Sequence, residues 1–402
     1  MGKYILIIGG ELFNKGAEAM SFATVSEMKK KFPEKEVILL STHDYNRVEE
    51  EKNKFNFKIL PFDNDMIYQL LGGSSGFLWN GYTQLKKSSK SKFEYLLPKM
   101  KTIFEDVHAM IDISGYALSS QWGIKRNVNY LATINLARKK NIPFYIMPQS
   151  IGPFDFGPGK QLVMDRLIKQ NLSYPEVVYT REMEGYNLLT QKYNLTNVVH
   201  SPDLVLLNKE TDLSKIYHEV PVIDDYSHVN GVGIAPNMRN FDHGDYENIL
   251  ETYRSIINLL LEKEMNVYLF RHAYEDIEVC RMIKDMFPKE EKVVLIEEEL
   301  KSYEFNELVT NFKFLIGSRY HSIIHAYKHG VPSIALGWAT KYRELLNMFD
   351  QNDYIFDVRH NIDTESILNA VNQINEKHEI ESQSIQEKLI SLQGKNIFDV
   401  IE

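Results

Sequence analysis

The chain has 402 residues, with 46 Lys and Arg against 55 Asp and Glu, and a formal net charge of −9 at neutral pH. This length exceeds one ordinary core and predicts two domains of about 150–200 residues each. The acidic balance argues against a broad nucleic-acid surface, because such surfaces are usually basic. The single Cys280 excludes an internal disulfide and a cysteine-rich zinc site, and it indicates a reducing compartment.

The N-terminus carries a five-residue apolar run, Tyr4–Ile8. This run is too short for a signal-peptide core or a membrane span, so it predicts a first strand and a cytoplasmic protein. Residues 85–92 form a basic, serine-rich stretch. Two interpretations stay open for it: a solvated loop, or a peripheral contact with anionic lipid head groups at the inner membrane face.

Short β-branched runs then alternate with amphipathic helical stretches, a pattern typical of βαβ units and a parallel sheet. The predicted strands of the first half are Tyr4–Ile8, Val37–Ser41, Met110–Ile113, Phe144–Pro148 and Val177–Thr180, with helices such as Ala17–Lys31 and Val128–Lys139 between them.

A hydrophilic stretch, residues 208–230, is either a domain linker or an ordered loop, and the alternation restarts after it. The second half has predicted strands Gly231–Ala235, Asn266–Arg271, Val293–Ile296, Phe314–Gly317 and Ser333–Leu336, and predicted helices Tyr246–Lys263, Asp276–Met286 and Phe305–Asn311. The sequence therefore predicts an α/β protein of two doubly wound parallel-sheet (Rossmann-like) domains, residues 1–210 and 228–360, facing each other across a cleft. Residues 361–402 are predicted to form a C-terminal helical segment.

The most informative segment follows the strand Phe314–Gly317. Helical spacing of apolar residues begins at Tyr320, with Ser318 as the expected N-cap and Gly330 as the stop. Arg319 and His321 then lie in the first turn, where the helix dipole disfavours cations by about 0.3–1 kcal/mol each. A bound phosphate or carboxylate would reverse that penalty, which predicts an anion site on these two residues.

Other cations follow neighbouring predicted strands. Arg239 follows one strand, and Arg271 and His272 end the next, so three arginines and two histidines are expected at one sheet edge. They would repel each other unless an anion were present. Lys341 leaves the last strand toward the same cleft.

In the first domain, Arg181 directly follows a strand and is either an anion clamp or half of a surface pair with its neighbour Glu182. Asn14 can cap the first helix after a loop that also contains Gly16, and this loop matches neither standard nucleotide-binding motif. Gln149 and Ser150 follow a buried strand and serve either as substrate contacts or as ordinary turn residues. The chain has no motif of metal-ligand spacing, so no metal is expected.

At this point the chain resembles the polysaccharide pyruvyl transferase family. The resemblance spans roughly residues 4–350. It is carried by Asn14-x-Gly16-x-Glu18, by Gln149-Ser150-Ile151-Gly152-Pro153, by Arg181-Glu182, by Ile316-Gly317-Ser318-Arg319-Tyr320-His321 running on to Gly330-Val331-Pro332, and by Lys341. The chain departs from the family after Asp112, where paired glycines are usual and it reads Ser114-Gly115-Tyr116. That loop is expected to face the acceptor.

The resemblance implies a two-domain GT-B-like fold and transfer of pyruvate from phosphoenolpyruvate to two hydroxyls of a sugar as a cyclic ketal, with release of phosphate. It implies phosphoenolpyruvate as the co-substrate and no cofactor. The implied acceptor is a lipid-linked glycan of capsule, exopolysaccharide or cell-wall synthesis.

The resemblance assigns Arg319 and His321 to catalysis and to phosphoenolpyruvate, with Arg181 and Lys341 as further contacts. Arg239 and His272 are added from their predicted strand ends. Asn14, Gly16, Gln149 and Ser150 are assigned to the acceptor. Two alternatives stay open: a GT-B glycosyltransferase with a nucleotide-sugar donor, and a non-catalytic sugar-phosphate binding protein.

Overall fold

The computed structural model describes residues 2–72, 91–338, 340–359, 362–394 and 396–402. Most of the basic stretch, residues 85–90, lies outside the described residues, so the expected lipid contact is untested there.

The N-terminal domain is built on a seven-stranded parallel sheet of order β3-β2-β1-β4-β5-β6-β7. Its strands are β1 Tyr4–Ile8, β2 Glu36–Ser41, β3 Lys58–Pro61, β4 Val107–Asp112, β5 Phe144–Gln149, β6 Val177–Thr180 and β7 Val198–His200. The helices of this half are α1 Lys15–Lys31, α2 Glu49–Lys52, α3 Asn64–Leu71, α4 Leu97–Glu105, α5 Gly123–Lys139, α6 Gln161–Leu172, α7 Met183–Asn187, α8 Leu204–Leu207 and α9 Leu213–Ile216. The order reverses direction at β1 and β4, which is the doubly wound arrangement.

The C-terminal domain repeats this plan with a six-stranded parallel sheet of order β10-β9-β8-β11-β12-β13. Its strands are β8 Gly231–Ala235, β9 Val267–Phe270, β10 Val293–Ile296, β11 Phe312–Gly317, β12 Ser333–Leu336 and β13 Ile355–Phe356. Its helices are α10 Tyr246–Glu262, α11 Asp276–Asp285, α12 Ser302–Val309, α13 Tyr320–Lys328, α14 Thr340–Met348 and α15 Thr364–Leu392. The prediction of two doubly wound parallel-sheet domains is confirmed.

The two domains share one continuous buried apolar cluster, which extends from Phe22 of α1 to Ile323 of α13. Their contact is also polar. Glu18 of α1 is buried, and its carboxylate accepts the backbone N–H of Ser302 at 2.6 Å, capping the start of α12 across the interface. The first helix of one domain therefore packs directly on two helices of the other.

The polar stretch after residue 208 is ordered in its first part. Asn56 donates its backbone N–H to the carbonyl of Ile216 at 2.7 Å, and His218 donates its own to Lys54 at 2.9 Å. Residues up to His218 thus pack on the N-terminal domain. The chain returns to that domain after α15, where the Gln393 side chain donates to the Leu206 carbonyl at 2.7 Å.

Each sheet places its reversal point at the cleft, since loops that leave the carboxyl ends of strands on either side of the reversal meet there. In the N-terminal domain these loops begin at Gly9 and Ser114. In the C-terminal domain they begin at Pro236 and Ser318. None of the helices within the described ranges combines the length and the apolar character that a bilayer crossing requires.

Candidate functional site

Strand β11 leads into helix α13 as predicted, but the cap differs. Arg319 occupies the N-cap position with extended backbone, and no side chain caps the helix there. Ser318, the predicted cap, is buried, and its hydroxyl lies 2.9 Å from that of Tyr253. The expected stop is confirmed, because Gly330 directly follows the C-cap with a φ of +73°.

Arg319 is held by carboxylates of its own domain. Its Nε donates to Oδ2 of Asp276 at 2.8 Å, and its Nη2 donates to Oδ1 at 2.6 Å and to Glu275 at 2.8 Å. Asp276 is fully buried at the start of α11, which follows β9. The expectation that Arg319 requires a bound anion is therefore wrong: the protein supplies the negative charge.

Arg181 is neutralised in the same way. Its Nη1 donates to Oδ2 of Asp203 at 2.7 Å, and its Nη2 donates to the Gly115 carbonyl at 2.9 Å and the Ser150 hydroxyl at 2.8 Å. Arg181 is buried, so it is not an exposed surface pair with Glu182. It ties together three loops of the N-terminal domain at the cleft.

His321 crosses from the C-terminal domain to this cluster. Its Nε2 lies 3.6 Å from Oδ2 of Asp203. Gly16 packs so closely on the ring that a Cβ at that position would lie 2.3 Å from the His321 Cγ. Burial, with smaller contributions from Arg181 and Lys341, outweighs the pull of Asp203 and lowers the pKa of His321 to about 4, so the imidazole is neutral at pH 7.

Lys341 completes the cluster. Two cations lie over the Tyr320 ring, the Arg181 guanidinium 4.7 Å and the Lys341 ammonium 5.3 Å from its centroid. Burial and the neighbouring Arg181 lower the pKa of Lys341 to about 8. Within the described part of the chain, no carboxylate oxygen lies within 4.0 Å of this ammonium, which sets it apart from Arg181 and Arg319.

His272 lies behind His321, with the two rings nearly parallel and their centroids 6.5 Å apart. It is buried, and none of the described residues forms a hydrogen bond with its Nε2. Burial, followed by the charges of neighbouring bases, lowers its pKa well below the usual value. Arg239 differs, because its side chain is 63% exposed and lies 3.5 Å from Asp242. The structure brings His272 against the cluster and leaves Arg239 at the rim.

The residues assigned to the acceptor have structural partners. The Asn14 side chain caps α1, as predicted, by accepting the N–H groups of Gly16 and Ala17 at 3.1 and 3.2 Å. Gln149 is fully buried, and its amide donates to Asp112 at 3.0 Å. The Ser150 hydroxyl donates to Glu182 at 2.8 Å. Direct contact of Gln149 with an acceptor is therefore not expected in this conformation.

Sequence reasoning did not assign Asp203 or Asp276 to the site. Asp203 also caps α8, because its side chain accepts the Val205 N–H at 2.9 Å. Asp276 begins a predicted helix immediately after a strand. The sequence could have indicated Asp276, because residues of any type that follow parallel strands meet at the same sheet edge, carboxylates as well as arginines.

Comparison with solved structures shows which known folds the chain resembles. The UDP-GlcNAc 2-epimerase from Methanocaldococcus jannaschii aligns over 92% of each chain, with a TM-score of 0.54 and 15% identity. The putative UDP-N-acetylglucosamine 2-epimerase from Listeria monocytogenes covers 95% of this chain and 91% of its own, with a TM-score of 0.58 and 12% identity. A glycosyltransferase from Rickettsia africae covers 100% and 99%, with a TM-score of 0.54 and 12% identity. These likenesses confirm a GT-B-like fold.

A search of curated proteins returns no significant match. The family model described as polysaccharide pyruvyl transferase matches residues 14–340, from the cap of α1 to the start of α14. That range contains Arg181, Asp203 and His321. The chain therefore belongs to the polysaccharide pyruvyl transferase family.

Proposed function

We propose that the protein transfers pyruvate from phosphoenolpyruvate to two hydroxyls of a sugar residue as a cyclic ketal and releases phosphate. The observation that carries the proposal is Lys341, a half-buried ammonium beside a neutral histidine, with no carboxylate oxygen within 4.0 Å among the described residues. Phosphoenolpyruvate carries a carboxylate and a phosphate, and either group would supply the missing negative charge.

Arg319 and Arg181 contribute differently from Lys341 under this proposal. Asp276 and Asp203 fix their guanidinium planes, so each presents its remaining N–H groups without losing side-chain freedom on binding. A rigid donor aimed at developing charge is the arrangement that stabilises a transition state. Arg239, at the rim of the cluster, and His272, behind the His321 ring, stay predictions as further contacts of phosphoenolpyruvate.

His321 is the proposed proton carrier. As a neutral imidazole it can take the proton of the first attacking sugar hydroxyl, and the imidazolium, 3.6 Å from Asp203, can deliver that proton to the methylene carbon. The C2=C3 π electrons form the new C–H bond of the methyl group, and the hydroxyl oxygen bonds to C2, which this protonation makes electrophilic. The C2–O bond to phosphate then breaks, the second hydroxyl adds to C2, and its proton leaves with inorganic phosphate.

The family name supports a polysaccharide or its precursor as the acceptor. We propose a lipid-linked oligosaccharide of capsule, exopolysaccharide or cell-wall synthesis, handled by a cytoplasmic enzyme at the inner membrane face. A nucleotide-sugar donor has less support. Glu344, the acidic residue near the last cleft helix, instead accepts the Met183 N–H from the other domain at 2.8 Å.

The test is incubation of the purified protein with phosphoenolpyruvate and a panel of synthetic and lipid-linked glycosides. We expect release of inorganic phosphate and a glycoside heavier by one pyruvate less one water, and His321→Ala should abolish both. Turnover of a nucleotide sugar without phosphoenolpyruvate consumption would overturn the proposal.

A further inference from the structure

An exposed tryptophan stands at the rim of the N-terminal domain in a fixed orientation. Trp122 is 37% exposed, immediately before α5. The Arg126 guanidinium lies over its ring at 4.7 Å, and the Tyr116 ring meets it edge-on with centroids 5.1 Å apart. Cation–π and edge-to-face contacts of this kind hold the indole in place while part of its surface stays open.

Tyr116 is anchored in turn. Its hydroxyl lies 3.0 Å from the Gly152 carbonyl and 3.0 Å from Oε1 of Gln121. Gly152 belongs to the loop after β5 and Tyr116 to the loop after β4, and these two strands are neighbours in the sheet. The aromatic pair is thus fixed to both loops before any ligand arrives, which reduces the entropy lost on binding.

The pair is continuous with the proposed catalytic cluster. The carbonyl of Gly115, next to Tyr116, accepts from Nη2 of Arg181 at 2.9 Å. Arg181 pairs with Asp203, which lies 3.6 Å from His321. A short chain of direct contacts therefore links the exposed indole to the histidine.

We propose that Trp122 and Tyr116 form an acceptor subsite, which binds the sugar ring next to the one that receives pyruvate. This inference rests on the proposed function. The C–H face of a pyranose is apolar and packs on an aromatic face, while its outward hydroxyls can meet polar groups at the edge. Exposed Gln121 and Arg126 supply such groups here.

The position favours a polymer over a small ligand. The indole is 37% exposed, so a glycan that packs on it can continue into solvent. A polysaccharide acceptor has a second ring to place there, whereas a monosaccharide has only the ring that receives pyruvate. The subsite therefore predicts that acceptor recognition depends on chain length.

The experiment compares Trp122→Ala and Trp122→Phe with the wild type on two acceptors that share the same terminal sugar, a monosaccharide glycoside and an oligosaccharide. We expect Trp122→Ala to raise the KM for the oligosaccharide about tenfold or more, and Trp122→Phe to raise it less. The KM for the monosaccharide and for phosphoenolpyruvate should change less than about twofold. Tyr95→Ala is the matched control, because Tyr95 is 75% exposed and lies beside β3, the strand at one edge of the sheet.

A binding measurement keeps the subsite distinguishable from the chemistry. Titration of the oligosaccharide without phosphoenolpyruvate should quench tryptophan fluorescence in Tyr95→Ala and lose that quenching in Trp122→Ala. Equal KM values for the oligosaccharide in wild type and Trp122→Ala would overturn the subsite while leaving pyruvyl transfer intact. Phe13 is an exposed aromatic residue that contacts His43 after β2. Loss of oligosaccharide binding in Phe13→Ala but not in Trp122→Ala would also overturn the subsite. No transfer to any acceptor would overturn the proposed function alone.

Discussion

Single residues at the cleft differ in whether the protein already balances their charge. The sequence correctly gathered Arg319, His321 and His272 at one sheet edge, because they follow strands β11 and β9, which lie on either side of β8. Asp276 also follows β9, but its pairing with Arg319 was not predicted. Residue type and strand position predict which groups meet, but the partner that each arginine takes depends on side-chain packing that no spacing in the chain encodes.

Lys341 predicts a pH dependence of ligand binding. Its pKa of about 8 means that the ammonium is lost as pH rises through 8, so the affinity for phosphoenolpyruvate should fall about tenfold per pH unit above that value. Lys341→Arg keeps its charge and should flatten this dependence, and Lys341→Met should bind weakly at every pH. Calorimetric titrations between pH 7 and 9.5 would measure it, and an unchanged affinity in Lys341→Met would contradict the assignment.

Arg319→Ala should cost stability as well as activity. The change leaves the buried Asp276 carboxylate without its bidentate partner, and breaking a buried ion pair costs about 3–5 kcal/mol. Because 18% of the Arg319 side chain is exposed, we expect about 2–3 kcal/mol in the free energy of unfolding. Denaturant unfolding measures this, with exposed Arg239→Ala as the control that should change stability by less than about 0.5 kcal/mol.

At the scale of elements, the start of α1 packs on the C-terminal domain through Gly16, which contacts the His321 ring. In Gly16→Ala the new methyl would meet the His321 ring, so the domains must shift or the ring must turn. We expect a loss of about 1–3 kcal/mol in stability from overpacking and a larger relative loss of pyruvyl transfer. Adding His321→Ala should restore the stability but not the activity.

Gly394→Ala is the matched control for that substitution, because the nearest atom to an added methyl there lies 4.0 Å away. Melting temperatures of the two single variants and the double variant would check it. Equal losses in Gly16→Ala and Gly394→Ala would show that backbone entropy, not contact with the histidine, sets the effect.

The strands with a continuous apolar run were predictable, even short ones. Tyr4–Ile8 and Gly231–Ala235 have the bounds that their apolar runs indicated, and so does the four-residue Val293–Ile296. β7 has three residues and β13 has two, which is too short to show a period, and β3 begins with a lysine and ends with a proline. All three lie at or near a sheet edge, where pairing with an existing strand supplies the order that the local sequence lacks.

At the scale of the whole molecule, buried neutral histidines predict sensitivity to acid. Burial lowers the pKa of His272 and His325 well below 6.5 and that of His321 to about 4. Below pH 6.5 these histidines therefore bind more protons in the unfolded chain than in the folded chain. Their contribution to stability is fully present above pH 6.5 and is lost as pH falls toward the folded values.

Melting temperatures measured from pH 7.5 to 5 should fall steeply, and His325→Gln should make the fall shallower. The exposed His228→Gln is the control and should reproduce the wild-type curve. A melting temperature that does not change with pH would show that the three rings titrate as they would in water.

The return of the chain to its first domain limits how the cleft can open. One crossing follows His218, and the other follows α15, where Lys31 holds the carbonyls of Phe398 and Asp399 at 3.2 and 3.1 Å. These two crossings tie the domains together on the N-terminal side. Any rotation that separated the domains would lift His321 away from Gly16, so we expect the proposed proton carrier to be in place only while the domains stay closed.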